Sequence, residues 1–223
     1  MIDKSAIKKA YSKIVGNLGN KANLIAVSKY QAIEKIQYLA SLGQKDFGEN
    51  YFQELELKVQ ELPDLNWHFI GALQSRKIKH IVKYVDSIQS VEKYEHIEKI
   101  SKAAAQQNKN IDVFLQINID DDPNKSGFKS TQYKDVVECI QHAKGLEGVT
   151  VIGLMCIPAK SSTPEKSFEK MKIFFDAVNA SIEYELKLSR LSMGMSADYK
   201  LAIQHGSTEV RIGSSLFGSR QKV

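Results

Sequence analysis

The residues best suited to chemistry in this chain of 223 residues are a lysine near its start and an arginine near its end. Lys29 directly follows the apolar run Leu24-Ile25-Ala26-Val27-Ser28. A lysine amine titrates at about 10.4 in water and is an ammonium at neutral pH. Desolvation at a strand end lowers that value and frees the amine to form an imine with a carbonyl. The plainer reading is a surface lysine leaving a strand. Arg211 alternates with the apolar Val210 and Ile212, so it faces the other way from them. Pointing inward, it requires an acceptor: a ring nitrogen, a phosphate, or the carboxylate of Glu209 or Asp198.

Small and hydroxylated residues cluster near the same end. Ser192-Met193-Gly194-Met195-Ser196 precedes a helical stretch, Asp198–His205, and Gly213-Ser214-Ser215 follows Ile212. Such residues ahead of a helix suit a phosphate, because free N–H groups and the helix dipole point outward there. Simple helix capping would use the same residue types. Phe47-Gly48-Glu49-Asn50-Tyr51 places a glycine, an acid and an amide at a strand-to-helix junction, where Glu49 or Asn50 serves a ligand or caps the helix. His68, inside Trp67-His68-Phe69-Ile70-Gly71, reads as a core histidine with a backbone partner more readily than as a general base. His80, His96, His142 and His205 fall on helical surface patterns, and none stands at metal-ligand spacing. Cys139 and Cys156 are too few for a disulfide framework and read as reduced thiols, which favours the cytoplasm. No Ser-His-Asp arrangement, Walker loop or helix-opening G-x-G-x-x-G is present.

The elements that must position these residues alternate along the chain. Eight β-like runs stand out: Leu24–Ser28, Lys45–Gly48, Trp67–Gly71, Asp86–Val91, Asp112–Asn118, Thr150–Cys156, Leu188–Met193 and Glu209–Ile212. Between them lie stretches with apolar residues at helical spacing, such as Val91–Gln107 and Tyr133–Lys144, and an extra helix, Ser5–Leu18, precedes the first run. Strands alternating with helices imply parallel βαβ units, and eight units close into a (β/α)8 barrel. The structural alternative is an open doubly wound sheet. A barrel holds its site at the C-terminal ends of the strands, where Lys29 and the two small-residue runs fall. One such domain accounts for residues 1–223. The net charge is +5, but the lysines mix with acids, as in Glu34-Lys35 and Glu92-Lys93. That describes a solvated surface rather than a nucleic-acid stripe. No apolar run approaches the roughly 20 residues of a membrane span. Met1-Ile2-Asp3-Lys4-Ser5 lacks the apolar core of a signal peptide and reads as the first turn of a helix.

Taken together, the runs Ala26-Val27-Ser28-Lys29, Phe47-Gly48-Glu49-Asn50-Tyr51, Trp67-His68-Phe69-Ile70-Gly71, Lys125-Ser126-Gly127, Gly153-Leu154-Met155-Cys156-Ile157-Pro158, Leu191-Ser192-Met193-Gly194-Met195-Ser196 and Val210-Arg211-Ile212-Gly213 span nearly the whole chain. In that order they closely resemble the pyridoxal 5′-phosphate (PLP) homeostasis proteins, the family of YggS and the proline synthase co-transcribed homologue. Those proteins share the barrel of the alanine racemase N-terminal domain. The resemblance implies that Lys29 carries PLP as a Schiff base and that Arg211 faces the pyridine nitrogen. It also implies that Ser196, Gly213 and Ser214 hold the phosphate, with Asn50 and Met193 lining the cofactor. The chain departs from the family pattern at Ala72 and Arg76 in the third motif and at Tyr30-Gln31-Ala32 after the lysine. Ser214 replaces a frequent threonine and keeps its hydroxyl.

Three functions fit these residues: a regulator that buffers PLP or delivers it to apo-enzymes, a PLP-dependent racemase, and a Schiff-base aldolase working without PLP. Racemases resembling this barrel add a β-rich domain that supplies a tyrosine base across a dimer interface. The last run here, Phe217–Val223, follows directly on the eighth unit. The expectation is therefore a monomeric, non-catalytic PLP protein.

Overall fold

The structure is a computed structural model and describes residues 2–218. The chain opens with helix α1 (Lys4–Leu18), capped by the Asp3 carboxylate, which accepts the Ala6 N–H at 2.9 Å. Strands follow at Asn23–Val27 (β1), Asp46–Glu49 (β2), Asn66–Phe69 (β3), Ser87–Val91 (β4), Ile111–Asn118 (β5), Phe128–Lys129 (β6), Val149–Cys156 (β7), Arg190–Ser192 (β8) and Glu209–Ile212 (β9). The helices between them are α2 (Ile33–Ser41), α3 (Phe52–Glu61), α4 (Ile78–Ile81), α5 (Tyr94–Ala105), α6 (Tyr133–Ala143), α7 (Pro164–Ser181) and α8 (Tyr199–Gln204), and α9 (Ser214–Phe217) follows β9.

All strand pairings are parallel, in the order β4-β3-β2-β1-β9-β8-β7-β5. A further pairing of β4 with β5 closes the ring. The architecture is thus the eight-stranded barrel expected, not the open sheet. The two-residue β6 rides on the end of β5 outside the ring. Seven of the eight expected strands shift by one or two residues at an end, and Glu209–Ile212 falls where anticipated. Tyr184–Leu186 adds a single 3₁₀ turn.

Two faces of the barrel are built differently. Leu24, Ala26, Phe47, Trp67 and Ile88 pack outward against buried stripes of the helices, such as Ile97, Ile100 and Ala104 of α5. The lumen carries polar side chains. The Gln89 amide donates to Glu209, Ser192 Oγ donates to Gln89 Oε1 at 2.8 Å, and Arg211 donates to Ser192 Oγ at 2.6 Å. Gln89 on β4 does not neighbour β8 or β9, so these bonds cross the barrel. Buried polar groups persist only when hydrogen-bonded, and this chain supplies that need from within. At the N-terminal end of the lumen, Asp46, His68, Asp112, Arg190 and Glu209 line a small cavity of about 190 Å³.

Candidate functional site

Register brings the two ends of the chain together. Strands β1 and β9 pair with Ile25 opposite Arg211 and Ala26 opposite Ile212, and β1 and β2 pair with Val27 opposite Gly48. Just beyond these last pairs stand Lys29, Asn50, Gly213 and Ser214, all on the C-terminal mouth. Lys29 is half-buried and shares the alternation of Ile25, which matches the inward Arg211. Four exposed large apolar side chains, Tyr30, Tyr51, Ile157 and Met195, follow the ends of β1, β2, β7 and β8, so the described residues leave this mouth uncovered.

Arg211 is buried within the lumen, and its second terminal nitrogen donates to the Cys156 carbonyl at 2.9 Å. Among the described residues it makes no ion pair, so the alternative of a salt bridge to Glu209 or Asp198 is not what holds it. Burial lowers its guanidinium pKa, but a guanidinium remains a cation, with donors beyond the two engaged here. Burial also pushes the Glu209 carboxyl up, against the opposing pull of nearby His68 and Arg211.

The loops after β8 and β9 touch. The Ser215 N–H donates to Ser196 Oγ at 3.2 Å, and the Ser215 hydroxyl donates to the Ser196 carbonyl at 3.4 Å. Gly213 precedes α9, where a Cβ would lie 3.2 Å from the Val27 carbonyl oxygen. A side chain there would crowd the end of β1. Among the described residues, no acceptor engages the N–H of Gly213 or Ser214. Asn50 presents a buried Oδ1 without a partner beside this mouth. Unengaged N–H donors suit a phosphate, an orphaned amide oxygen suits a ligand's polar group, and Lys29 supplies an amine: the residues present fit PLP.

Several sequence expectations need correction. Neither Glu49 nor Asn50 caps α3, whose cap position is Tyr51 with no side-chain bond. His68 bonds side chains, not backbone: Ser87 Oγ at 2.5 Å and Asp46 Oδ1 at 3.1 Å, at the barrel end away from Lys29. His96 is buried in α5 rather than on its surface, and that burial lowers its pKa. Met193 has no exposed surface and belongs to the hydrophobic core, so its side chain is not displayed in the mouth. Both cysteines are free and buried, their pKa values pushed up to about 12 by burial. The run ending at Val223 lies partly outside the described residues.

Sequence reasoning missed one constellation entirely. Lys58 on α3 is buried and donates to the Ser28 carbonyl at 2.8 Å, Glu49 Oε1 at 2.7 Å and Glu54 Oε2 at 2.8 Å. Ser28 Oγ donates to the same Glu49 oxygen at 2.6 Å. Burial raises the Glu49 carboxyl, while Lys58 and Ser28 oppose the shift. The spacing of Glu54 and Lys58, one helical turn, was visible; it reads as an ordinary surface pair.

The alanine racemase N-terminal domain family matches residues 2–221. The pyridoxal phosphate homeostasis protein of Pasteurella multocida is 37% identical over 204 residues, covering 88% of this chain and 86% of that one. Its namesake in Schizosaccharomyces pombe is 36% identical over 206 residues, 91% and 86% of the two chains. The structure of PipY from Synechococcus elongatus with PLP bound superposes with a TM-score of 0.86 at 31% identity, over 95% of this chain and all of that one. An alanine racemase of Clostridium difficile shares the fold at 16% identity and a TM-score of 0.80, over 98% of this chain but 60% of its own. With identities above 30% across most of both chains, and with the same barrel, the chain belongs to the pyridoxal phosphate homeostasis protein family.

Proposed function

We propose that this protein binds PLP through an imine linkage to Lys29 and serves to buffer the cofactor or deliver it to apo-enzymes. One observation supports the reading: the β1–β9 register brings the end of β1, which leads to Lys29, against the end of β9, which leads to Gly213 and Ser214, whose N–H groups have no acceptor among the described residues. Ser196, Gly213 and Ser214 hold the phosphate, and Asn50 borders the ring. Arg211 faces the pyridine nitrogen from the lumen. Bound PLP supplies an electron-withdrawing ring conjugated to the lysine nitrogen. A fixed guanidinium cation at the ring nitrogen keeps that nitrogen unprotonated, which weakens the ring as an electron sink. That disfavours transaminase and decarboxylase chemistry and leaves racemisation to be tested by assay. The protein acts in the cytoplasm as a monomer on this reading.

Borohydride reduction of the PLP-loaded protein, followed by peptide mapping, is expected to place one pyridoxyl group on Lys29. Label on another lysine, or none on protein supplied with PLP, refutes the assignment.

A further inference from the structure

The Ser28–Gln31 turn holds Lys29 in a way that neither the barrel nor the phosphate loops explain. The Gln31 N–H donates to the Ser28 carbonyl at 3.0 Å, closing a turn with Lys29 and Tyr30 at its centre. Tyr30 has φ of 60°, the left-handed region that a side chain enters at a cost of about 1–2 kcal/mol. Glycine or asparagine normally takes that third position in a type II turn. A tyrosine persists there only if something external fixes the turn.

Helix α3 does so from both sides of Lys29. The peptide before Lys29 is fixed through the Ser28 carbonyl, which accepts from Lys58 Nζ at 2.8 Å. The peptide after it is fixed through the Tyr30 N–H, which donates to Glu54 Oε2 at 2.7 Å. Lys58 and Glu54 are themselves paired at 2.8 Å, one helical turn apart. Lys58 has three ammonium donors and three acceptors, the third being the buried Glu49 carboxylate at 2.7 Å. An ammonium removed from water in this way is costly unless its geometry is complete, and here it is.

We propose that Lys58 and Glu54 are positioning residues for Lys29, clamping the two peptides that flank it so that its amine meets the aldehyde of PLP. The proposal rests on the reading that Lys29 carries the cofactor. Neither residue touches PLP; both act through the backbone of the lysine. Fixing that backbone leaves only the four-carbon stem to be ordered when the imine forms. The clamp therefore supports the bond to Lys29 and contributes nothing to phosphate or ring binding.

That division supplies the test. PLP and 4′-deoxypyridoxine 5′-phosphate, which keeps the ring and phosphate but lacks the aldehyde, are titrated against wild type and variants well below each melting temperature. Glu54→Ala and Lys58→Met are expected to weaken PLP about tenfold, the scale of one lost charge-assisted hydrogen bond. Affinity for the deoxy compound should stay within about twofold on the same argument. Glu54→Gln, which keeps an oxygen for the Tyr30 N–H, should recover most of the loss. Glu61→Gln, at the exposed end of the same helix, should match wild type. Equal weakening of both ligands, or an unchanged PLP affinity in Glu54→Ala and Lys58→Met, overturns the clamp. If instead wild type and Lys29→Ala bind PLP equally, the assignment of Lys29 itself falls.

Discussion

Glu209 and Arg211 stand two residues apart on β9 and both face the lumen, yet they are held by different partners. Because burial raises the Glu209 carboxyl, the folded protein binds that proton more tightly than the unfolded chain. Its contribution to stability is full below the ordinary carboxylate range and is lost as pH rises through the raised value. Glu209→Gln keeps an acceptor for Gln89 without the charge. The melting temperature of this variant, followed from acid to neutral pH, should fall less steeply than that of wild type; Glu49 and Asp112, raised in the same direction, contribute to the slope that remains. At the phosphate loops, Ser214→Ala removes one exposed hydroxyl and should weaken PLP only about fivefold, the scale of a single hydrogen bond. Gly213→Leu should cost far more, since its Cβ would press on Val27 and the rest of its side chain would crowd the loop that is proposed to hold the phosphate. Titration of both variants with PLP, and of wild type with unphosphorylated pyridoxal, checks the placement. Equal affinity for pyridoxal and PLP contradicts it.

Between elements, the approach of β3 to β2 tolerates no side chain. A Cβ on Gly71 would lie 2.0 Å from the Asn50 carbonyl oxygen. Gly71→Ala must separate the two strand ends, at a cost of about 1–3 kcal/mol for overpacking. Thermal melting should show a drop of several degrees, on the order of 2–4 °C per kcal/mol for a chain of this size. PLP affinity should fall with it as Asn50 shifts. At this scale the sequence was most legible. Period-2 and period-3.6 patterns report which face of an element is apolar, and that suffices to order eight strands around a ring. They fail where a polar residue is buried. His96 follows a surface pattern because only its neighbours reveal the α5 core stripe. Lys58 looks solvated and Glu49 looks like a cap or a ligand contact, because their partners come from the turn after β1, from β2 and from α3 at once. The resemblance implies that Met193 lines the cofactor, whereas its surroundings place its side chain in the core. That Lys29, Gly213 and Ser214 fall at one end was legible because a barrel fixes which end of every strand shares the mouth; their roles stay part of the proposal.

For the molecule as a whole, the uncovered mouth decides the expected behaviour. Moving a proton across both faces of a bound amino acid needs a second acid or base opposite Lys29. His68 is committed to Asp46 and Ser87 at the other end of the barrel. An open site also admits water, which weakens electrostatic stabilisation of any developing charge. Racemase, transaminase and decarboxylase assays of the PLP-loaded protein should show no turnover, while mixing with an apo-enzyme should restore that enzyme's activity. Sustained turnover abolished by Lys29→Ala reverses this expectation. The pairing of β1 with β9 has one more consequence, concerning biosynthesis. A ribosome releases Lys29 long before Gly213. Until β9 emerges, β1 has an unpaired edge, and the proposed phosphate seat is not yet formed. On the proposed assignment, cofactor capture waits for β9, and a fragment truncated before Glu209 is expected not to sequester PLP at this site.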